Sequence, residues 1–299
     1  MIDQYVGGTR YDSELLTARV NAMRNADLVL IIRVFYDPYH PAGGHGQITD
    51  AWNQQVPVVS WSSTAQFDDW CDQCEEAAEG TWNDKLWLVP SSTWGYDWPP
   101  SGEPTHRPNV KCGLDLRRTR DRNQAHLRLR CYRLAAGAAY RSSMCAASAY
   151  QAPMCVHDPH RGYFDDADAL PTQYFGASGD SHFQVTIAHE IGHWLGLNHV
   201  NQGGAGCVVG GETICYGSTS RQREDVMGMG SRVEAWHALP WKRRIGQHVL
   251  YGDPEWLRQE LHWHATSARP RPQRIQHHAR AAVAPGGVAD LDAGTHGAY

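Results

Sequence analysis

The chain is organised around one run, His189-Glu190-Ile191-Gly192-His193-Trp194-Leu195-Gly196-Leu197-Asn198-His199. Residues four apart on a helix lie on one face, so a helix here points the His189 and His193 imidazoles at one ion. Glu190 projects to the side, where it touches water on the ion rather than joining as an equal ligand. A helix that simply continued would carry His199 too far along the axis. Gly196 can take a positive φ, stop the helix and turn the chain, which returns His199 to the ion. Three histidines leave one position open, the mark of a catalytic rather than a structural zinc. In that chemistry Glu190 is the general base: it takes a proton from the attacking water and passes it to the leaving amine. The competing reading is a partly buried amphipathic helix with incidental histidines. Gly196, His199 and the largely apolar lead-in from Phe183 to Ala188 favour the metal.

With its third histidine the run resembles the metzincins, the metallopeptidase clan defined by this extended motif and a downstream methionine turn. Asp225-Val226-Met227-Gly228-Met229-Gly230 has the form of that turn. The resemblance implies that Met227, with Met229 as the alternative, forms a hydrophobic floor beneath the zinc. It also implies an α+β zincin fold: a twisted, mostly parallel sheet with an antiparallel edge strand, a backing helix, an active-site helix and a C-terminal helix. Substrate would lie along an edge strand above the zinc, for which the Ala125–Tyr132 segment is the candidate. Some metzincins place a tyrosine two residues after the methionine as an extra ligand; Met229 stands there in this chain. The implied division is a catalytic domain over 1–264, its upper part about 1–199 and its lower part about 200–264, followed by a low-complexity tail over 265–299, read as flexible. The resemblance does not say whether residues 1–60 belong to the catalytic unit.

The rest of the chain is consistent with an enzyme of ordinary composition. Of its 299 residues 41% are hydrophobic and 20% charged, with a formal net charge of −5, enough to bury a sizeable core. No basic stripe alternates with aromatics, so nucleic acid is not an expected partner. No apolar run reaches membrane-span length; Leu28-Val29-Leu30-Ile31-Ile32 is strand-sized. Met1-Ile2-Asp3-Gln4-Tyr5 lacks the basic and apolar regions of a signal peptide. The expected partner is a protein or peptide substrate.

Periodicity predicts helices over Ser13–Arg24, about Ala65–Trp82, 181–195 and about Asp253–Trp263, and strands over Leu28–Tyr36, Leu86–Val89, Val110–Leu116 and Ala125–Tyr132. Arginines alternating with apolar residues in the last of these suggest a sheet edge. Residues 37–49, 90–108 and 200–224 read as loops.

Eight cysteines permit disulfides. Cys71 and Cys74 read as two positions one turn apart on a helix, rather than as a redox pair or half a zinc site. Cys207 and Cys215 can staple a Gly-rich loop, which would imply an oxidising compartment and export by a route needing no signal in this chain. Lys111-Cys112-Gly113 faintly resembles a latency cysteine, but Cys112 falls within an alternating strand. Asp158, Asp165, Asp166 and Asp168 offer oxygen ligands for a calcium ion, with a solvated acidic loop as the plainer alternative. His40 and His45 flank a surface loop, and His277-His278 lies in the tail. Two further functions fit the same site: a catalytically silent zinc-bearing module, and a zinc hydrolase of a non-peptide amide.

Overall fold

A computed structural model describes residues 4–17, 26–50, 53–90, 106–107, 109–145, 161–175, 179–204, 206–207, 212–249, 263–267 and 273–274. In chain order the strands and helices run β1 (Gln4–Val6), β2 (Asp12–Leu16), β3 (Ala26–Pro38), β4 (His45–Thr49), β5 (Gln55–Val59), α1 (Thr64–Trp82), β6 (Trp87–Pro90), β7 (His106–Arg107), β8 (Val110–Arg118) and β9 (Leu127–Leu134). They continue with β10 (Ser143–Met144), β11 (Gly162–Asp165), β12 (Pro171–Phe175), β13 (Ser181–Val185), α2 (Thr186–Trp194), α3 (Glu212–Cys215), α4 (Ser220–Arg223), α5 (Leu239–His248), β14 (Trp263–Thr266) and β15 (Gln273–Arg274). This is an α+β arrangement with a mixed sheet.

The main path of the sheet is β10-β11-β9-β3-β8-β6-β14. Its centre is parallel, since β3 pairs in parallel with β8 and β9, and β9 with β11. On either side the pairings are antiparallel: β10 with β11, β6 with β8 and β14, β1 with β2, β2 with β3, and the β4–β5 hairpin. The expectation of a mostly parallel sheet is thus corrected to a parallel core with antiparallel additions. β3 pairs with β8 over Ala26–Val34, with β2 over Asp27–Ile31 and with β9 over Val34–Pro38, and none of its residues is fully exposed.

Ser63 caps α1, its hydroxyl accepting the Gln66 N–H. The helix buries Phe67, Trp70, Cys71, Cys74, Ala78 and Trp82 against β8 and α2. Trp82 closes that contact by donating its indole N–H to the Ala188 carbonyl at 3.0 Å. Cys71 and Cys74 are free thiols on this buried face, as the helical spacing implied.

Several sequence expectations need correcting. Asp12–Leu16 is a strand paired with β3, not the start of a helix; pairing in the sheet overrides the helical spacing of Leu15 and Leu16. Residues 18–24 lie outside the described residues. Thr49 and its neighbours form a hairpin strand within the expected 37–49 loop. β9 is not an edge: it lies between β11 and β3. Its alternation reports one face open to solvent, where Arg130 pairs with Asp37 at 3.2 Å and stacks over Tyr39, rather than one side without a neighbour.

The expected helix over 181–195 starts only at Thr186. Residues 181–185 form β13, alternating exposed and buried against β12. Two short helices, α3 and α4, interrupt the expected 200–224 loop. The helix expected over Asp253–Trp263 falls outside the described residues, except that Trp263 begins β14. A helix not foreseen, α5, opens with Pro240 in its first turn. The boundary at 264/265 falls inside β14, and Gln273–Arg274 pairs with β7.

Candidate metal centre

β13 leads directly into α2, and α2 has no side-chain cap. The Ile187 N–H is met instead by the Asp168 carbonyl at 3.1 Å, from the turn after β11. The helix ends in a Schellman cap. Gly196 has φ +91°, its N–H bonds the His193 carbonyl at 2.9 Å, and the Leu197 N–H bonds the Gly192 carbonyl at 3.0 Å. A side chain at this φ would be strained, so the glycine makes the turn that returns the chain to His199.

The cap also orients His193: the carbonyl of Leu197 accepts its Nδ1–H at 2.8 Å. The Val226 carbonyl does the same for His189 Nδ1–H at 2.7 Å. Both bonds fix the tautomer that leaves Nε2 as a lone-pair donor. The His193 and His199 Nε2 atoms stand 3.0 Å apart. The His189 Nε2 is buried without a hydrogen-bond partner. Ligand atoms of the three rings lie within 4.8 Å of one another, the cluster with metal-ligand geometry among the described residues. Two nitrogens on one tetrahedral zinc, each at about 2.0–2.1 Å, are roughly 3.3 Å apart; the 3.0 Å His193–His199 spacing is close to that, and an ion would draw the third ring in. Burial holds all three rings neutral: His193 is pushed down to about 4, His199 to about 3, and His189 well below its ordinary value, with neighbouring imidazoles adding to the shift at His189 and His199. A buried partnerless nitrogen and three neutral imidazoles suit a borderline cation such as zinc.

Glu190 is buried, and burial raises its carboxyl to about 8; the charge of Arg141 and the N–H of Met144 in β10 act in the other direction. Met227 is fully buried. A Cβ added at Gly192 would overlap its Sδ and come within 3.2 Å of the Trp82 ring, so the methionine lies against the helix between His189 and His193. The turn around it is tied down by Asp225, whose Oδ1 accepts Met227 N–H at 2.7 Å and His237 Nε2–H at 2.9 Å, while Oδ2 accepts the Trp236 indole at 3.3 Å.

Three residues not singled out from the sequence also stand at the site. Gln184, buried on β13, donates to the Gly228 carbonyl at 2.6 Å and touches His189 Nδ1 at 2.9 Å, linking helix to turn. The Tyr216 ring packs on His199 with centroids 4.2 Å apart and on His189 at 5.5 Å. Its hydroxyl accepts from Arg141 at 3.0 Å. Tyr216 follows the Cys207–Cys215 disulfide, so the expected staple also positions an aromatic wall. Only the alternation of β13 marks Gln184 in the sequence.

The secondary candidates lie elsewhere. Cys112 is fully buried within β8. The carboxylates of the acidic turn serve protein donors: Asp165 takes Ala167 N–H, Asp166 takes Leu134 N–H, and Asp168 takes Asp165 N–H and the Ser142 hydroxyl. Asp158, His277 and His278 lie outside the described residues. His40 and His45 are exposed about a single turn.

Residues 119–231 match the family described as Metallo-peptidase family M12B Reprolysin-like. No curated protein and no solved structure is significantly similar to the chain. The matched stretch, less than half of the chain, contains the three histidines, Glu190 and the Met227 turn. With the histidine cluster it supports a zinc metallopeptidase.

Proposed function

We propose that the chain is an endopeptidase in which His189, His193 and His199 hold one catalytic zinc and Glu190 is the general base. The observation that carries the proposal is the buried, partnerless His189 Nε2 in a cluster whose three ligand atoms lie within 4.8 Å of one another. An unpaired buried nitrogen is unfavourable unless something fills the site.

When bound, zinc supplies Lewis acidity that activates water and polarises a peptide carbonyl. The Val226 and Leu197 carbonyls hold the His189 and His193 rings in the ligating tautomer. Glu190, on the same helix one residue from His189, takes the proton from the attacking water and delivers it to the leaving amine. Gly196 turns the chain so that His199 completes the set, and Met227 forms the apolar floor. Substrate lies along β10, the last strand of the sheet path beside α2, and adds main-chain hydrogen bonds there. The active-site helix is α2 and the backing helix is α1. The catalytic unit includes β1 and β2, because β2 pairs with β3 and the Trp194 indole donates to the Arg10 carbonyl at 2.8 Å.

The disulfide Cys207–Cys215 favours an oxidising, extracellular setting. Among the described residues no helix is long and apolar enough to cross a membrane. The intact Glu190 favours turnover over a silent zinc module.

Metal analysis and a casein or peptide-library assay test the proposal. One zinc per chain is expected, with cleavage abolished by chelator and restored by zinc, and His193→Ala is expected to lose both metal and activity. A zinc-loaded chain that cleaves nothing would overturn it.

A further inference from the structure

We propose that Asp168 is a positioning residue of this centre: it holds the start of β10 against α2, so that the strand offered to substrate and the Glu190 carboxyl keep a fixed separation. The inference rests on the peptidase proposal above and adds to it a residue outside the histidine motif. Asp168 lies in the turn after β11 and is buried. Three elements meet on it. Its Oδ2 accepts the N–H of Asp165, the last residue of β11, at 2.7 Å. The same oxygen accepts the hydroxyl of Ser142, which is itself buried directly before β10. Its main-chain carbonyl accepts the Ile187 N–H at 3.1 Å, one of the first-turn donors that a helix cannot satisfy internally. α2 has no side-chain cap, and this bond takes over part of that task.

The line from Asp168 to the reacting groups is short. Ser142 stands two positions before Met144, whose N–H donates to the Glu190 carboxyl. Successive N–H groups of a strand point to opposite sides. The Cys145 N–H is turned towards β11, bonding the Arg161 carbonyl at 2.7 Å, so the Met144 N–H is turned away from β11 and towards α2. β10 is 2 residues long where it pairs with β11, too short a ladder to fix the strand by itself. The Ser142 hydroxyl supplies the missing anchor, because a buried hydroxyl is costly unless it stays bonded. Burial and the charge of Asp165 push the Asp168 carboxyl well above its ordinary value, so it stands near Glu190 as a neutral acid. An amide has the same shape, the same acceptor oxygen and no charge, which makes asparagine the conservative replacement.

The test uses the zinc-loaded full chain and a fluorogenic peptide taken from casein. Zinc content, urea midpoint, kcat and KM are measured for wild type, Asp168→Ala, Asp168→Asn and Ser142→Ala. Ser142→Ala leaves the Asp168 carbonyl on Ile187 untouched, so it reads the strand anchor alone and still decides the matter if Asp168→Ala does not fold. A labelled, non-fluorogenic form of the peptide is also titrated onto Glu190→Ala and Glu190→Ala/Ser142→Ala by fluorescence anisotropy, so that binding is read without turnover. Asp168→Ala and Ser142→Ala are expected to lose kcat/KM by roughly tenfold to a hundredfold with zinc content unchanged, as a shift of about 1 Å at a reacting group does. Asp168→Asn is expected to stay within about threefold of wild type, since its amide oxygen accepts both donors. A lowered urea midpoint with wild-type kcat and KM in both alanine variants would mark a merely structural role and overturn the proposal. So would an Asp168→Asn variant as slow as Asp168→Ala. Weaker peptide binding caused by Ser142→Ala, with no cleavage by wild type, would uphold the strand anchor and overturn the peptidase reading instead.

Discussion

At Gly192 the helix carries no side chain, and Met227 occupies the space. Gly192→Ala forces the Met227 thioether or the Trp82 ring to move, and overpacking of this kind is expected to destabilise the fold by about 1–3 kcal/mol, measured by urea denaturation. Gln184→Ala removes the link between His189 and the Gly228 carbonyl. Outer contacts of this sort typically change metal affinity 10–100-fold, and a competition titration with a zinc chelator should show a loss in that range. His248 gives a pH signature away from the metal. It is fully buried, bonded to Ser13 at 2.8 Å, and burial lowers its pKa to about 4. Above pH 6.5 the ring is neutral folded or unfolded and contributes nothing. Between about 6.5 and 4 the unfolded chain takes up a proton that the folded chain refuses, so stability falls as pH falls. At pH 5 this amounts to about 2 kcal/mol, and His248→Gln should flatten the stability profile between pH 7 and 5 accordingly; an unchanged slope would refute it. At this scale the histidine cluster was legible because three histidines occur at spacings set by helical geometry and the turn after it. Gln184, Arg141 and Tyr216 were not legible, since each is a common residue whose role depends on a partner dozens of positions away or on a turn without a motif.

Among the elements, the loop after His199 depends on the Cys207–Cys215 bridge. A disulfide spanning a sequence separation of 8 constrains the unfolded chain by about 2.5 kcal/mol on the loop-entropy account. Replacing both cysteines by serine should lower the denaturation midpoint accordingly and slow turnover, because Tyr216 follows the bridge. α1 offers a simpler test: Ser63→Ala removes a cap and should destabilise by about 1 kcal/mol. α1 and β3 were readable because each has one strong period and a clear boundary. β13 was taken for helix because Ser181-His182-Phe183-Gln184-Val185, five residues directly before a true helix, fits either period, and only pairing with β12 decides between them. β9 was taken for an edge because an arginine-bearing face looks the same whether the missing cover is a helix layer or a neighbouring strand.

For the whole molecule, α5 and β14 close the structure around the parallel core, together with the strands β1 and β2. Arg244 reaches back to the Tyr11 carbonyl at 2.6 Å, and His248 meets Ser13, so α5 clasps the N-terminal strands. At the other side Trp263 is 1% exposed at the start of β14. A chain ending at His262 is expected to lose about 3–5 kcal/mol through that tryptophan alone, measured by thermal or urea denaturation against the full chain. Such long-range closures follow no local period, which is why the α+β class was legible and the sheet order was not. The central claim, that this scaffold positions Glu190 as the base of a three-histidine zinc centre, is tested most directly by zinc content and chelator-sensitive peptidase activity on wild type and Glu190→Ala side by side. The account predicts one zinc in both proteins and activity in wild type alone, with a loss of about 10²–10⁴-fold or more in the variant. Comparable activity in the two proteins would contradict it.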